Sequence, residues 1–253
     1  MILNKKDIKT LIIITCILLF ISFVSYFIFS GIDMKEQQLN SSFIVDGNNY
    51  WQYNDKNWKN LNSIDSINWE KYKVYTNNNY VDTYYVTSNS GKLYFFDKDN
   101  NSYHVDSPTL AISSDSNVGP INYEQEEINT SDQDIINSYL KSIKITYNGD
   151  YSVFEKYKTD LDNNGESDYI YILSNQLYSD DVFYIIFARC GSKNITINKQ
   201  IVEENIEQYE LAWIININSD KLPSIILKRY YLDNYEYYLY QYSKKNGYQQ
   251  VLN

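Results

Sequence analysis

Cysteine is scarce in this chain, with 2 residues in 253, which excludes a disulfide framework and a four-cysteine zinc site. There is 1 histidine, so few imidazole-based catalytic schemes are open. Glycine (8) and proline (3) are too few for a glycine-rich nucleotide fold. Positive charge is also short: 22 Lys and Arg against 32 Asp and Glu give −10 at pH 7. Nucleic acid is not an expected partner, because phosphate needs a basic face. What the chain has in excess is aromatic: 28 Tyr and 17% Phe, Trp and Tyr together, which sets it apart from a disordered acidic tail. Asn, Tyr, Ile and Lys share A/T-rich codons, so genome bias accounts for part of the Tyr.

One long apolar run stands apart. Residues Leu11–Ile32 (LIIITCILLFISFVSYFIFSGI) carry no charge, and the run is long enough to cross a hydrocarbon core of roughly 30 Å. Lys5, Lys6 and Lys9 precede it against a single acid, Asp7. This excess places the short arm, residues 1–10, in the cytoplasm and the rest outside. The rival is a cleaved signal peptide, whose apolar region is normally about 7–15 residues and ends in a small-x-small site. Ser30-Gly31-Ile32 is a poor match to such a site. An uncleaved signal anchor over 11–32 is therefore expected, giving a single-pass membrane protein. Cys16 follows Ile14-Thr15, which is not a lipobox; it reads as a lipid-facing apolar residue.

After a polar spacer (33–42), residues 43–113 alternate short β-branched and aromatic runs with tight turns. Asp46-Gly47 is a hairpin signal, and Asn77-Asn78-Asn79, Asn89-Ser90-Gly91 and Lys98-Asp99-Asn100-Asn101 separate later strands. A small antiparallel β meander is expected. Residues 114–143 read as a linker (114–129), its Glu124–Glu127 run solvated, and one helix capped by Thr130 or Ser131. Asp132 and Asp134 suit the positive end of that helix, and Ile135, Ile136, Tyr139, Leu140 and Ile143 form its apolar face. Residues 144–253 return to strands, beginning with a hairpin around Asn148-Gly149. The fold class is mostly β.

The stretch with chemistry is Asp160-Leu161-Asp162-Asn163-Asn164-Gly165-Glu166-Ser167-Asp168. Oxygen-bearing side chains fall at positions 1, 3, 5 and 9, and Gly165 at position 6 allows the sharp turn that folds them inward. The Glu166 carbonyl could add a ligand. Asp160, Asp162, Asn164, Glu166 and Asp168 thus form a hard oxygen set that suits Ca²⁺ rather than zinc. It is not an EF-hand: position 12 is Tyr171 and a strand follows. A plain Asx-rich turn without metal is the competing account.

TDLDNNGESDYIYIL resembles the calcium-loop core of FG-GAP/VCBS-type repeats, an acidic loop followed by an apolar strand. A worn copy, Asn216–Ser224, aligns with Asp160–Asp168 and retains one acid, Asp220; it is assigned no metal. Each copy runs on into an aromatic strand, VFYIIFAR and YEYYLYQY. The resemblance covers about residues 150–253 and implies a β-sandwich or a partial propeller-like array. It also implies extracellular binding or adhesion, in some cases alongside an enzyme.

Other candidates are weaker. His104 and Asp106 would share a strand face, but no nucleophile motif accompanies them, and no catalytic residue is assigned. Cys190 lacks an evident base and reads as a structural thiol. Trp51, Tyr53 and Trp58 are either core rings or a platform that stacks on sugar. The expected protein is a non-catalytic binding or scaffolding protein at the cell surface. The alternatives are an extracytoplasmic sensor or envelope regulator acting through a membrane partner, or a cell-wall glycan-binding module.

Overall fold

Asp46-Gly47 does form the first hairpin turn. Gly47 takes φ +62°, which spares the turn the cost a side chain would bring there. It joins β1 (Phe43–Asp46) to β2 (Asn49–Asn54), and similar turns build most of the remaining ladders. The computed structural model describes residues 42–54, 57–61, 67–105, 108–145, 153–174, 182–202, 207–216, 222–231 and 234–251. The expected cytoplasmic arm and membrane anchor, the Asn148-Gly149 turn, and Asp220 of the second loop lie outside these residues. Among the described residues no helix is long and apolar enough to cross a membrane.

The fold is mostly β, with antiparallel pairing and one helix among the described residues. The first sheet adds β3 (Asn57–Leu61), β4 (Glu70–Thr76), β5 (Asn79–Asn89), β6 (Lys92–Phe96), β7 (Ser102–Tyr103) and β8 (Thr109–Ser113). Its order is β3-β2-β1-β8-β4-β5-β6-β7, so it is not the simple meander expected over 43–113. After β7 the chain returns and inserts β8 between β1 and β4. The cause is in TLAIS: Thr109, Leu110, Ala111 and Ile112 are all buried, and such a run needs cover on both faces.

In residues 114–129 Glu124, Gln125 and Glu127 are exposed, as expected, but the segment is more than a linker. They contain β9 (Glu124–Glu126), which pairs with β10 (Val153–Thr159). Before that, Pro120 bridges Ile215, Ile121 N–H donates to the Ile214 carbonyl, and Tyr123 donates to the Leu211 and Ala212 carbonyls. Lys73 and Asn78 of the first sheet donate to the Ser116 and Ile121 carbonyls. The segment thus stitches all three sheets together. Helix α1 (Thr130–Ser142) is capped by Asn129 rather than Thr130 or Ser131, with Asp132 completing a capping box.

The second sheet runs β13-β12-β11-β10-β9, with β11 (Asp168–Ser174), β12 (Val182–Cys190) and β13 (Lys193–Val202). The third runs β14-β15-β16-β17, from β14 (Glu207–Ile215), β15 (Ser224–Tyr231), β16 (Asn234–Ser243) and β17 (Gly247–Gln250). β10–β13 and β14–β17 are successive up-and-down meanders. In each, the segment aligned in the sequence connects the first strand to the second.

The third sheet is the middle layer. One face packs Tyr209, Leu211, Ile225, Leu227 and Tyr240 on Tyr157, Ile170, Ile172, Tyr184 and Ile186 of the second sheet. The other packs Trp213, Ile226, Tyr237 and Leu239 on Ile44, Trp51, Tyr53 and Leu110 of the first. A register shift between Leu211 and Trp213 lets these two aromatic and aliphatic anchors serve opposite faces; a regular strand would put them on one. Helix α1 closes the stack, laying Ile136, Tyr139 and Leu140 on Tyr171, Leu173, Phe183 and Phe187.

Candidate metal loop

The β10–β11 connection is shaped by its own side chains. Asp160 accepts N–H bonds from Asn164 (3.1 Å) and Gly165 (2.9 Å) through its two carboxylate oxygens. Asn164 Oδ1 accepts the Glu166 N–H at 2.6 Å. Asn163 (φ +56°) and Gly165 (φ +83°) take left-handed backbone, which coils the loop. Leu161 plugs it into the core below. At the far end Asp168 opens β11, buried, and accepts the Leu161 N–H at 3.0 Å and the Gly191 N–H at 3.2 Å.

The loop brings carboxylate oxygens of Asp160, Asp162 and Asp168 within 4.8 Å of one another. Among the described residues it is the one such cluster of three or more metal-ligating side chains. Burial, and then the charge of Asp162, push the Asp168 carboxyl above its ordinary value, against the pull of its backbone N–H bonds. A group of anions that raises its own cost of ionisation is what a hard divalent cation relieves. Asn164 and Glu166 are exposed members of the same loop, with the Asn164 oxygen engaged in the turn. The three carboxylates are thus the side chains that could hold a metal ion here.

Cys190 ends β12 beside this loop, next to Gly191, whose N–H donates to Asp168. Burial first, then the charges of Asp168 and Asp162, push its thiol up to about 12. It is a poor nucleophile at neutral pH. His104 is exposed and follows β7 rather than lying in it; Asp106 lies outside the described residues.

The aromatic platform is corrected. Trp51 is 1% exposed, Tyr53 0% and Trp58 5%. Trp51 packs edge-on against Tyr237 at 4.8 Å, and Tyr53 against Trp58 at 5.4 Å. These rings are core, because the third sheet covers the face that carries them, and no sugar reaches them.

Two buried ionic clusters escaped the sequence reading. Lys228 Nζ meets Asp46 Oδ2 between the first and third sheets, under the rings of Tyr230 and Tyr235, and Tyr237 donates to the same oxygen at 2.9 Å. Lys156 Nζ lies 3.0 Å from Glu126 and 3.1 Å from Asp132, and Tyr171 donates to Asp132 at 2.7 Å. The available signal was a charged residue inside an apolar strand, as in SIILKRYY.

No family model matches the chain, and neither the curated proteins nor the solved structures compared with it include a match.

Proposed function

We propose that this is a membrane-anchored, extracytoplasmic binding or scaffolding protein whose β10–β11 loop holds a structural Ca²⁺. The observation that carries the metal reading is the approach of Asp160, Asp162 and Asp168 within 4.8 Å. Asp160 and Asp162 would supply charge from the loop, and Asp168 would tie the ion to β11. Two consecutive four-strand meanders, each with its aligned segment at the first turn, support the FG-GAP/VCBS-type resemblance. The uncharged run Leu11–Ile32 supports the anchor. In this reading the ion is part of the fold, and the protein acts by presenting rigid sheet surfaces to an envelope protein or glycan.

The test is calorimetric melting of the detergent-solubilised full chain with Ca²⁺ or with chelator. Extracellular calcium modules bind at roughly 10⁻⁴–10⁻³ M. Calcium at 100 times such a dissociation constant stabilises the folded state by about 2.7 kcal/mol. Asp160→Ala and Asp162→Ala should abolish that gain. A melting temperature indifferent to Ca²⁺, with both variants equal to wild type, rejects the metal.

A further inference from the structure

The face of the first sheet that the third sheet covers over β1, β2 and β8 continues over β4 to β6, where Lys71, Lys92 and Tyr94 are exposed. Lys71, Tyr85 and Phe96 stand directly opposite one another there, and Tyr94 shares the face of Phe96. Trp69 caps the row at 5.1 Å from Phe96 and 6.3 Å from Tyr85. It is 48% exposed and sits at φ +53°, a left-handed conformation that a bulky residue rarely adopts. The Lys71 ammonium lies 5.1 Å from the Tyr85 ring, and exposed Lys92 is on the same face of β6. The nearest acid in sequence, Glu70, accepts a bond from Tyr72, which belongs to the opposite, buried face.

This end of the sheet is also where the chain enters it. β1 and β4 each pair antiparallel with β8, so they run in the same direction. Phe43 is level with Val74 through Ala111, so the Phe43 end of β1 and the Glu70 end of β4 face the same edge of the sheet, the one where Trp69 lies. Between the apolar run and Ser42 lies only the spacer 33–41, which fully extended reaches roughly 30 Å. Tryptophan and tyrosine settle at the headgroup level of a bilayer, and lysine pairs with anionic headgroups.

We propose that Trp69, Tyr85, Tyr94, Phe96, Lys71 and Lys92 form a lipid-docking surface that seats the first sheet on the outer leaflet. The inference rests on the anchor reading above. It gives the strained Trp69 a role and makes the short spacer a means of holding the sheet against the bilayer.

The test uses the full chain reconstituted in vesicles of phosphatidylcholine and phosphatidylglycerol that carry lipids brominated near the headgroup end of the acyl chains. Of 4 tryptophans, Trp51, Trp58 and Trp213 are buried in protein, so Trp69 is the reporter. Bromolipid should quench one component of the emission. Trp69→Ala should delete that component, and Lys71→Glu should shrink it. Equal quenching of wild type and both variants, with the chain still floating with the vesicles, overturns the surface alone. Failure to float after alkaline extraction overturns the anchor and the surface with it. Protection of Trp69 from acrylamide that follows protein density, without bromolipid quenching, assigns the face to a second copy and also overturns the proposal.

Discussion

Lys228 Nζ lies 2.5 Å from Asp46 Oδ2 although the two residues are 182 positions apart. The pair locks β1 of the first sheet to β15 of the third. Taking two charges out of water is costly, and their attraction repays it only when the remaining donors and acceptors are satisfied. Here Tyr237 donates to the same carboxylate and the Tyr230 and Tyr235 rings lie over the ammonium.

Asp46→Ala leaves Lys228 buried without its carboxylate and should cost about 3–5 kcal/mol. The double variant Asp46→Ala, Lys228→Met should recover most of that loss, since it removes both charges. Urea unfolding of the four members of this cycle measures the coupling. A double variant no better than Asp46→Ala would show that the pair does more than balance charge.

Trp51→Ala and Trp213→Ala empty adjoining parts of one core and should each cost roughly 3–5 kcal/mol. Trp69→Ala, at a half-exposed ring, should leave the melting temperature nearly unchanged. Calorimetry on the three variants separates core rings from surface ones.

Asp132 and Asp168, both buried, should respond to acid in opposite senses. Burial works against ionisation of Asp132, but the Asn129 N–H, the Tyr171 hydroxyl and Lys156 outweigh it and hold the carboxyl below its usual range. The stability this supplies is present above the unfolded value of about 3.9 and is lost as pH falls through the lower folded value. Asp132→Asn should therefore destabilise the protein at neutral pH, and the deficit should narrow in acid below about pH 3.9. A deficit constant with pH would make the loss one of packing or capping alone.

Asp168 has its carboxyl raised, so without metal it becomes a growing penalty as pH climbs from about 3.9 through the folded value. Calcium should cancel that penalty. Its stabilising effect is expected to fade as acid protonates the loop, and Asp168→Asn should flatten the pH dependence of the melting temperature in chelator. A calcium effect independent of pH would separate the ion from these carboxylates.

Cys190 should resist alkylation near neutral pH and react once the protein unfolds, with Cys16→Ser as the background. Asp168→Asn removes one charge that suppresses its thiolate and should speed the native reaction. A time course with iodoacetamide, read by the mass of the modified chain, follows both.

Features that are local in the chain were legible before the fold was known. The acidic loop is one, because Asp160 to Asp168 converge through turns made by their own side chains. The strands of the second half are another, since apolar β-branched and aromatic runs such as YIYIL need no partner to be seen. Two things were not legible. The insertion of β8 depends on which strands it lies between, and the Asp46–Lys228 pair depends on how two sheets stack. The YWQYNDKNW cluster left core and platform open because aromatic residues serve both; only the covering sheet decides between them.

The middle layer of the stack is the last of the three in chain order. Until β14 to β17 emerge, the first and second sheets lack the layer that lies between them, and Trp51 and Ile170 stay wet. A nascent chain would therefore hold two half-finished sheets and settle them together in one late event. Shortening the chain from the β17 side should thus damage residues nearly two hundred positions away, and the whole assembly should report on the arrival of its final hairpin.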